Sequence, residues 1–88
     1  MTYRIEFVSS AEKEFKRLPR DIQERLLKVF KILEIDPYSE ILKIRKIQGR
    51  DELFRIRKGA YRLIYSMELS SKIVIIRIRH RKDVYHHL

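Results

Sequence analysis

The sequence predicts an α+β domain of order β-α-α-β-β-β, with a two-helix hairpin packed on one face of an antiparallel sheet. Three patterns carry this reading. Residues 3–7 alternate apolar and charged, residues 22–33 hold an apolar stripe at helical spacing, and residues 53–81 return to period-two alternation in three segments. The 88 residues make one domain, spanning 1–88, the natural count. A domain of this size buries only about 60–65% of its unfolded surface, so stability is modest unless a partner adds to it.

Tyr3-Arg4-Ile5-Glu6-Phe7 reads as a half-buried strand. Ser9 follows as the expected N-cap, with Glu12 completing a capping box. Ala11, Phe15 and Leu18 give a short first helix its inner face, and Pro19 interrupts it. For the second helix, Asp21 and Glu24 repeat the capping pattern, while Pro19 at the first helical position is an equally good start. Ile22, Leu26, Val29, Phe30 and Leu33 then form its buried stripe. It ends near Ile35, because Pro37 cannot continue it and restrains Asp36. Residues 36–50 are ambiguous. Residues 41–47 fit a short strand or a packed loop, and an ordered connection with a few core anchors is the favoured reading. Lys43, Arg45 and Lys46 add positive charge there.

Residues 53–65 read as a β-hairpin around a Gly-containing turn. With Lys58-Gly59 as a two-residue loop, Arg57 faces Ala60, Arg55 faces Arg62 and Leu53 faces Ile64; Phe54, Ile56, Leu63 and Tyr61 share the reverse face. A second turn at Ser70-Ser71 sets Met67 against Val74, Tyr65 against Ile76, Leu63 against Ile78 and Arg62 against Arg79. The outcome is one apolar face and one basic face, the latter crossed by a row of Arg55, Arg62 and Arg79, with Arg77 and Arg81 alongside. A register slip of two residues keeps this division, whereas a slip of one would bury the arginines. Like charges opposite each other destabilise a ladder by roughly 0.2–1 kcal/mol a pair. A lone strand arginine is ordinarily the wet side of a one-sided sheet, its stem covering apolar surface. A cluster drawn from three strands points instead to a polyanion.

Bulk properties agree. The net charge is +9 and the pI about 10.1, which suits nucleic acid or an acidic protein as partner. No run of 18 apolar residues and no secretory signal are visible, so neither a membrane nor export is expected, and the cytoplasm is the default location. Zero Cys excludes a disulfide scaffold or thiolate zinc site, and three His, two of them at 86–87, make a poor metal set. Neither metal nor cofactor is expected.

The chain resembles the RelE/ParE superfamily of bacterial and archaeal toxins over nearly its whole length. The resemblance is carried by the opening strand and helix, by Leu18-Pro19, and by Phe54-Arg55-Ile56-Arg57-x-Gly59-x-Tyr61-Arg62-Leu63-Ile64-Tyr65. The ending Arg79-His80-Arg81-Lys82-Asp83-Val84-Tyr85 completes it. The resemblance to the RelE branch implies a RelE-like fold and a toxin that cuts messenger RNA in the ribosomal A site. The substrate's own 2′-hydroxyl attacks the adjacent phosphate, without a metal. It also implies silencing by a RelB-like antitoxin in a toxin–antitoxin hetero-oligomer, with ribosome and mRNA as the other partners. By the same resemblance Arg62, Arg81 and Tyr85 are the catalytic candidates, and Arg55, Arg57, Lys58 and Arg79 are the RNA- or phosphate-binding ones. The RelE branch often carries lysines on its second strand, one of them a proposed base; here both are arginines, which stay protonated. Lys58, His80 and Glu52 remain candidates for the base, His80 being placed by parity on the core face near Tyr61. The competing reading is a ParE-like inhibitor of DNA gyrase that performs no chemistry. A third is a plain basic nucleic-acid-binding domain. The sheet edge and the grooves beside the helices are natural antitoxin docking sites, with part of the basic face covered or the Tyr85 region displaced.

Overall fold

A computed structural model describes residues 2–68 and 71–82. The elements are β1 (Arg4–Phe7), α1 (Ser9–Lys16), α2 (Arg20–Ile35), a 3-10 turn (Glu40–Leu42), β2 (Arg45–Ile47), β3 (Arg50–Lys58), β4 (Tyr61–Glu68) and β5 (Lys72–His80). The strands form one five-stranded sheet of order β1-β5-β4-β3-β2. The two helices pack on it, so the expected α+β class is present. The sheet, however, is mixed: β1 runs parallel to β5, and the other pairs are antiparallel. No hairpin links β1 to β5, so turn geometry does not impose an antiparallel pairing on them.

The ambiguous segment holds both things the sequence allowed. Asp36 Oδ1 accepts the Tyr38 N–H at 3.0 Å, Leu42 enters the core, and Arg45–Ile47 pairs with β3 as a short edge strand. Lys43, closing the 3-10 turn, sits in the left-handed region at φ 52°.

Neither helix is capped as expected. Val8 N–H donates to Ile75 O at 3.1 Å, so pairing with β5 runs on through Val8. Val8 is therefore the extended residue that precedes α1, and its carbonyl accepts the Glu12 N–H. Ser9 is already helical and does not cap, while Glu12 turns to Lys16 at 2.9 Å. Pro19 flanks α2 rather than occupying its first turn, again without a side-chain cap. Gln23 takes over the role expected of the caps. Its amide donates to the carbonyls of Phe15 (3.0 Å), Leu18 (3.1 Å) and Lys16 (3.3 Å), satisfying the open end of α1 and tying the helices together.

The stripe on α2 buries Leu26, Val29, Phe30 and Leu33, with Ala11 of α1, against Ile56, Leu63, Tyr65, Ile73, Ile75 and Ile78 of the sheet. Phe7, Phe15 and Phe30 meet at centroid distances of 5.4–5.9 Å, locking β1 and both helices together.

One expectation about β5 fails. From Arg62↔Arg79 to Ile64↔Arg77 the register is as expected, but Tyr65 then pairs with Ile75 and Met67 with Ile73. Ile76 is an extra residue, a β-bulge that reverses parity. Hence Ile73 and Ile75 are buried, not Val74 and Ile76, while Ile78 stays inward. Residues 73–76 are apolar at every position, so alternation could not locate the switch. The turn expected at Ser70-Ser71 lies partly outside the described residues.

Tyr65 is fully buried and stacks on Phe54, yet its hydroxyl has no hydrogen-bond partner among the described residues. Burial, and secondarily Tyr38, pushes its phenol well above the usual range. An unpartnered buried hydroxyl costs roughly 1–3 kcal/mol. Tyr65→Phe should therefore raise the unfolding free energy by about 1 kcal/mol in urea titrations, whereas Tyr65→Ala should lower it by about 3–5 kcal/mol through the cavity left behind. A Phe variant less stable than wild type would show that the hydroxyl has found a partner.

Candidate nucleic-acid interface

The arginines converge because their sequence neighbours are buried. Ile56 and Leu63 are 1% exposed and Ile78 is 3% exposed. Strand alternation then turns Arg55, Arg57, Arg62, Arg77 and Arg79 to the opposite face. The hairpin register differs from expectation by two residues: Lys58 pairs with Tyr61, Arg57 with Arg62, and Arg55 with Ile64. The loop is Gly59-Ala60, and Gly59 takes φ +60° at its first position, as a II′ turn requires. A Lys58-Gly59 loop would have forced positive φ onto a residue with a Cβ. The cross-strand row is therefore Arg57, Arg62 and Arg79, while Arg55 pairs laterally with Arg45 of β2.

Two depressions result. The smaller, about 150 Å³, is lined by Arg57, Gly59, Arg62 and Arg81. Arg81 reaches it because its N–H donates to Ala60 O at 2.7 Å, hooking the end of β5 onto the hairpin turn. The larger, about 320 Å³, is lined by Lys43, Arg45, Arg55 and Arg57. Arg57 belongs to both. Burial first, then the charges of Arg57, Arg62 and Arg45, draw the Arg55 guanidinium below its usual range, although arginine stays charged at any working pH.

Arg55, Arg57, Arg62 and Arg81 are thus brought together. Lys58 lines neither depression: it ends β3 rather than occupying the turn, and it borders a groove of about 470 Å³ with Arg25, Lys28, Val29 and Ile32 of α2, which Arg57 and Lys43 also line. Arg79 shares the basic face but its Nε lies 3.0 Å from Glu14 Oε2 of α1. His80 sits beside Tyr61 as parity requires, ring edge to ring at 5.1 Å, and its Nδ1 accepts the Lys82 N–H at 3.1 Å. Glu52 lies near the start of β3 and lines neither depression. Tyr85 lies outside the described residues. Lys43 and Arg45 were noted in the sequence only as added charge; their place in the site follows from the pairing of β2, which the sequence left open. Nothing in the sequence marked Glu14, which reads as one more helix acid.

Crowded like charges oppose folding. Arg55→Gln should raise the unfolding free energy by up to about 1 kcal/mol in dilute buffer. The gain should fade near ~1 M salt, where the Debye length falls to about 3 Å. A variant destabilised at every salt concentration would show that the arginine stem's packing outweighs the repulsion.

Comparisons with known proteins agree on the superfamily. The family model of the ParE toxin of the type II toxin–antitoxin system parDE matches residues 5–85. Toxin RelG of Mycobacterium tuberculosis is 32% identical over 88 residues, covering 97% of this chain and 98% of its own. The archaeal RelE–RelB complex from Pyrococcus horikoshii OT3 contains a chain similar at 33% identity and TM-score 0.79, over 92% of this chain and 97% of that one. A RelB–RelE complex from Methanococcus jannaschii gives 26% identity and TM-score 0.81, over 94% and 98%. Among the described residues no helix is long and apolar enough to cross a membrane. Family model, relatives and fold agree that this chain belongs to the RelE/ParE superfamily of type II toxin–antitoxin toxins, on the RelE branch.

Proposed function

We propose that this toxin cleaves messenger RNA in the ribosomal A site. The observation that carries the reading is the convergence of Arg57, Arg62 and Arg81 on one depression of about 150 Å³. In the reaction the substrate's 2′-oxygen bonds to the adjacent phosphorus as the bond to the 5′-oxygen breaks. A 2′,3′-cyclic phosphate remains; the 2′-hydroxyl proton passes to solvent water and the 5′-oxygen takes one from it, so one proton moves in net from the 2′- to the 5′-oxygen. Arg62 holds the non-bridging oxygens, Arg81 meets the leaving 5′-oxygen, and Arg57 bridges to the neighbouring depression. There Arg55, Arg45 and Lys43 take the next phosphates or ribosomal RNA. Positioned guanidiniums lower the barrier by matching charge that grows in the transition state.

Guanidiniums do not accept the 2′-hydroxyl proton. Lys58 and His80, two of the three candidate bases, do not line this depression. The chemistry therefore rests on charge stabilisation. Tyr85 is the candidate to stack on a splayed base or orient the 2′-hydroxyl.

The Pyrococcus and Methanococcus neighbours are complexes with RelB. They support a RelB-like antitoxin as the silencing partner, in a hetero-oligomer. In this reading the ribosome and mRNA are the further partners, met in the cytoplasm. The matching family model bears the ParE name, which favours a second reading: binding and inhibition of DNA gyrase without chemistry.

Primer extension on translating ribosomes separates the two. Wild type should give codon-phased cuts. Arg62→Ala and Arg81→Ala should each lose about 10²–10³ in rate, and Tyr85→Phe less. Intact message together with stalled gyrase would favour the second reading. His80→Gln should leave the pH–rate profile unchanged; an acidic limb near neutrality that disappears in this variant would make His80 the base.

A further inference from the structure

Glu14 stands apart from the neighbouring acid of its helix. Glu12 pairs with Lys16 on the exposed side of α1, whereas the Glu14 side chain is only 22% exposed and reaches β5. Its Oε1 accepts the Ile78 backbone N–H at 3.0 Å. Its Oε2 lies 3.0 Å from Nε of Arg79, whose side chain is 32% exposed. Both contacts have a cause. β1 pairs with β5 only from Lys72 to Ile75, so past the bulge β5 is an edge strand with a donor to satisfy. Arg79 is also the cross-strand partner of Arg62, an arrangement of like charges that repels unless a counter-ion intervenes. Arg79 does not line the depression formed by Arg57, Gly59, Arg62 and Arg81.

We infer that Glu14 is a positioning residue, a built-in counter-ion that withdraws Arg79 from anion binding and leaves Arg62 as the member of the pair that faces the ligand. An unbroken row of three arginines would hold a phosphate anywhere along its length. Engaging Arg79 confines the grip to the end where Arg57, Arg62 and Arg81 meet, and so fixes which phosphate is held. The inference rests on the proposed function only for the identity of the anion.

The test uses a 2′-O-methyl RNA oligonucleotide, which lacks the attacking hydroxyl, with binding followed by fluorescence anisotropy across a salt series. For single strands, log K falls with log salt at a slope near −0.7 per phosphate neutralised. Glu14→Gln keeps an acceptor for the Ile78 N–H but releases Arg79, so the slope should steepen by about 0.7. Glu14→Gln combined with Arg79→Gln should restore the wild-type slope, and Arg79→Gln alone should leave it unchanged. A slope flattened by Arg79→Gln alone would show Arg79 already on the RNA and overturn the inference. So would an unchanged slope in a Glu14→Gln protein that keeps its native circular dichroism. The same pattern seen with heparin but not with RNA would keep Glu14 in its role and remove the RNA reading.

Discussion

The basic face exists because apolar burial on one side of three strands outweighs charge repulsion on the other. Ile56, Leu63 and Ile78 each lie next to an arginine in sequence and are almost completely buried. Burying such a side chain is worth about 1.5–3 kcal/mol, against roughly 0.2–1 kcal/mol for a pair of facing like charges. The core therefore wins at each position, and the arginines are held together although they repel. Lys58 illustrates the same rule from the other side. It shares parity with Ile56, so it borders the groove against α2, sharing it with Arg57, and lines neither arginine depression.

Strand parity was legible in the sequence, and it carried the site. Wherever polar and apolar residues alternate, as at Arg55-Ile56-Arg57 and Ile78-Arg79, the face is fixed before any partner strand is known. Register was less legible. The choice between Lys58-Gly59 and Gly59-Ala60 turns on which loop position must adopt positive φ, and the resulting two-residue slip replaced Arg55 by Arg57 in the row without moving either from its face. Where every residue is apolar, as in Ile73-Val74-Ile75-Ile76, the sequence holds no parity signal, and the bulge is read only from the pairing of β5 with β4. Long-range side-chain contacts were not legible at all: Gln23 on the end of α1, and Glu14 on β5, are read only from the folded chain.

These features give the free toxin an unfinished surface. Its arginines crowd one face, and that face repels itself in the absence of a counter-charge. A segment of antitoxin that brings acidic groups to it, or RNA that brings phosphates, would relieve the same strain, so a silencing partner and a substrate can compete through shared chemistry rather than shared shape. The shortfall in stability expected of so small a domain is then met in the complex.

Under the proposed function, Arg57, Arg62 and Arg81 close together on one RNA phosphate. Its most direct measurement follows the arginine Nε–H resonances of the toxin during titration with a 2′-O-methyl trinucleotide. The signals of these three arginines should move together and saturate at one equivalent, with Arg79 held at its position beside Glu14. Shifts spread evenly over all the arginines, or confined to Arg25 on the helix side, would contradict it.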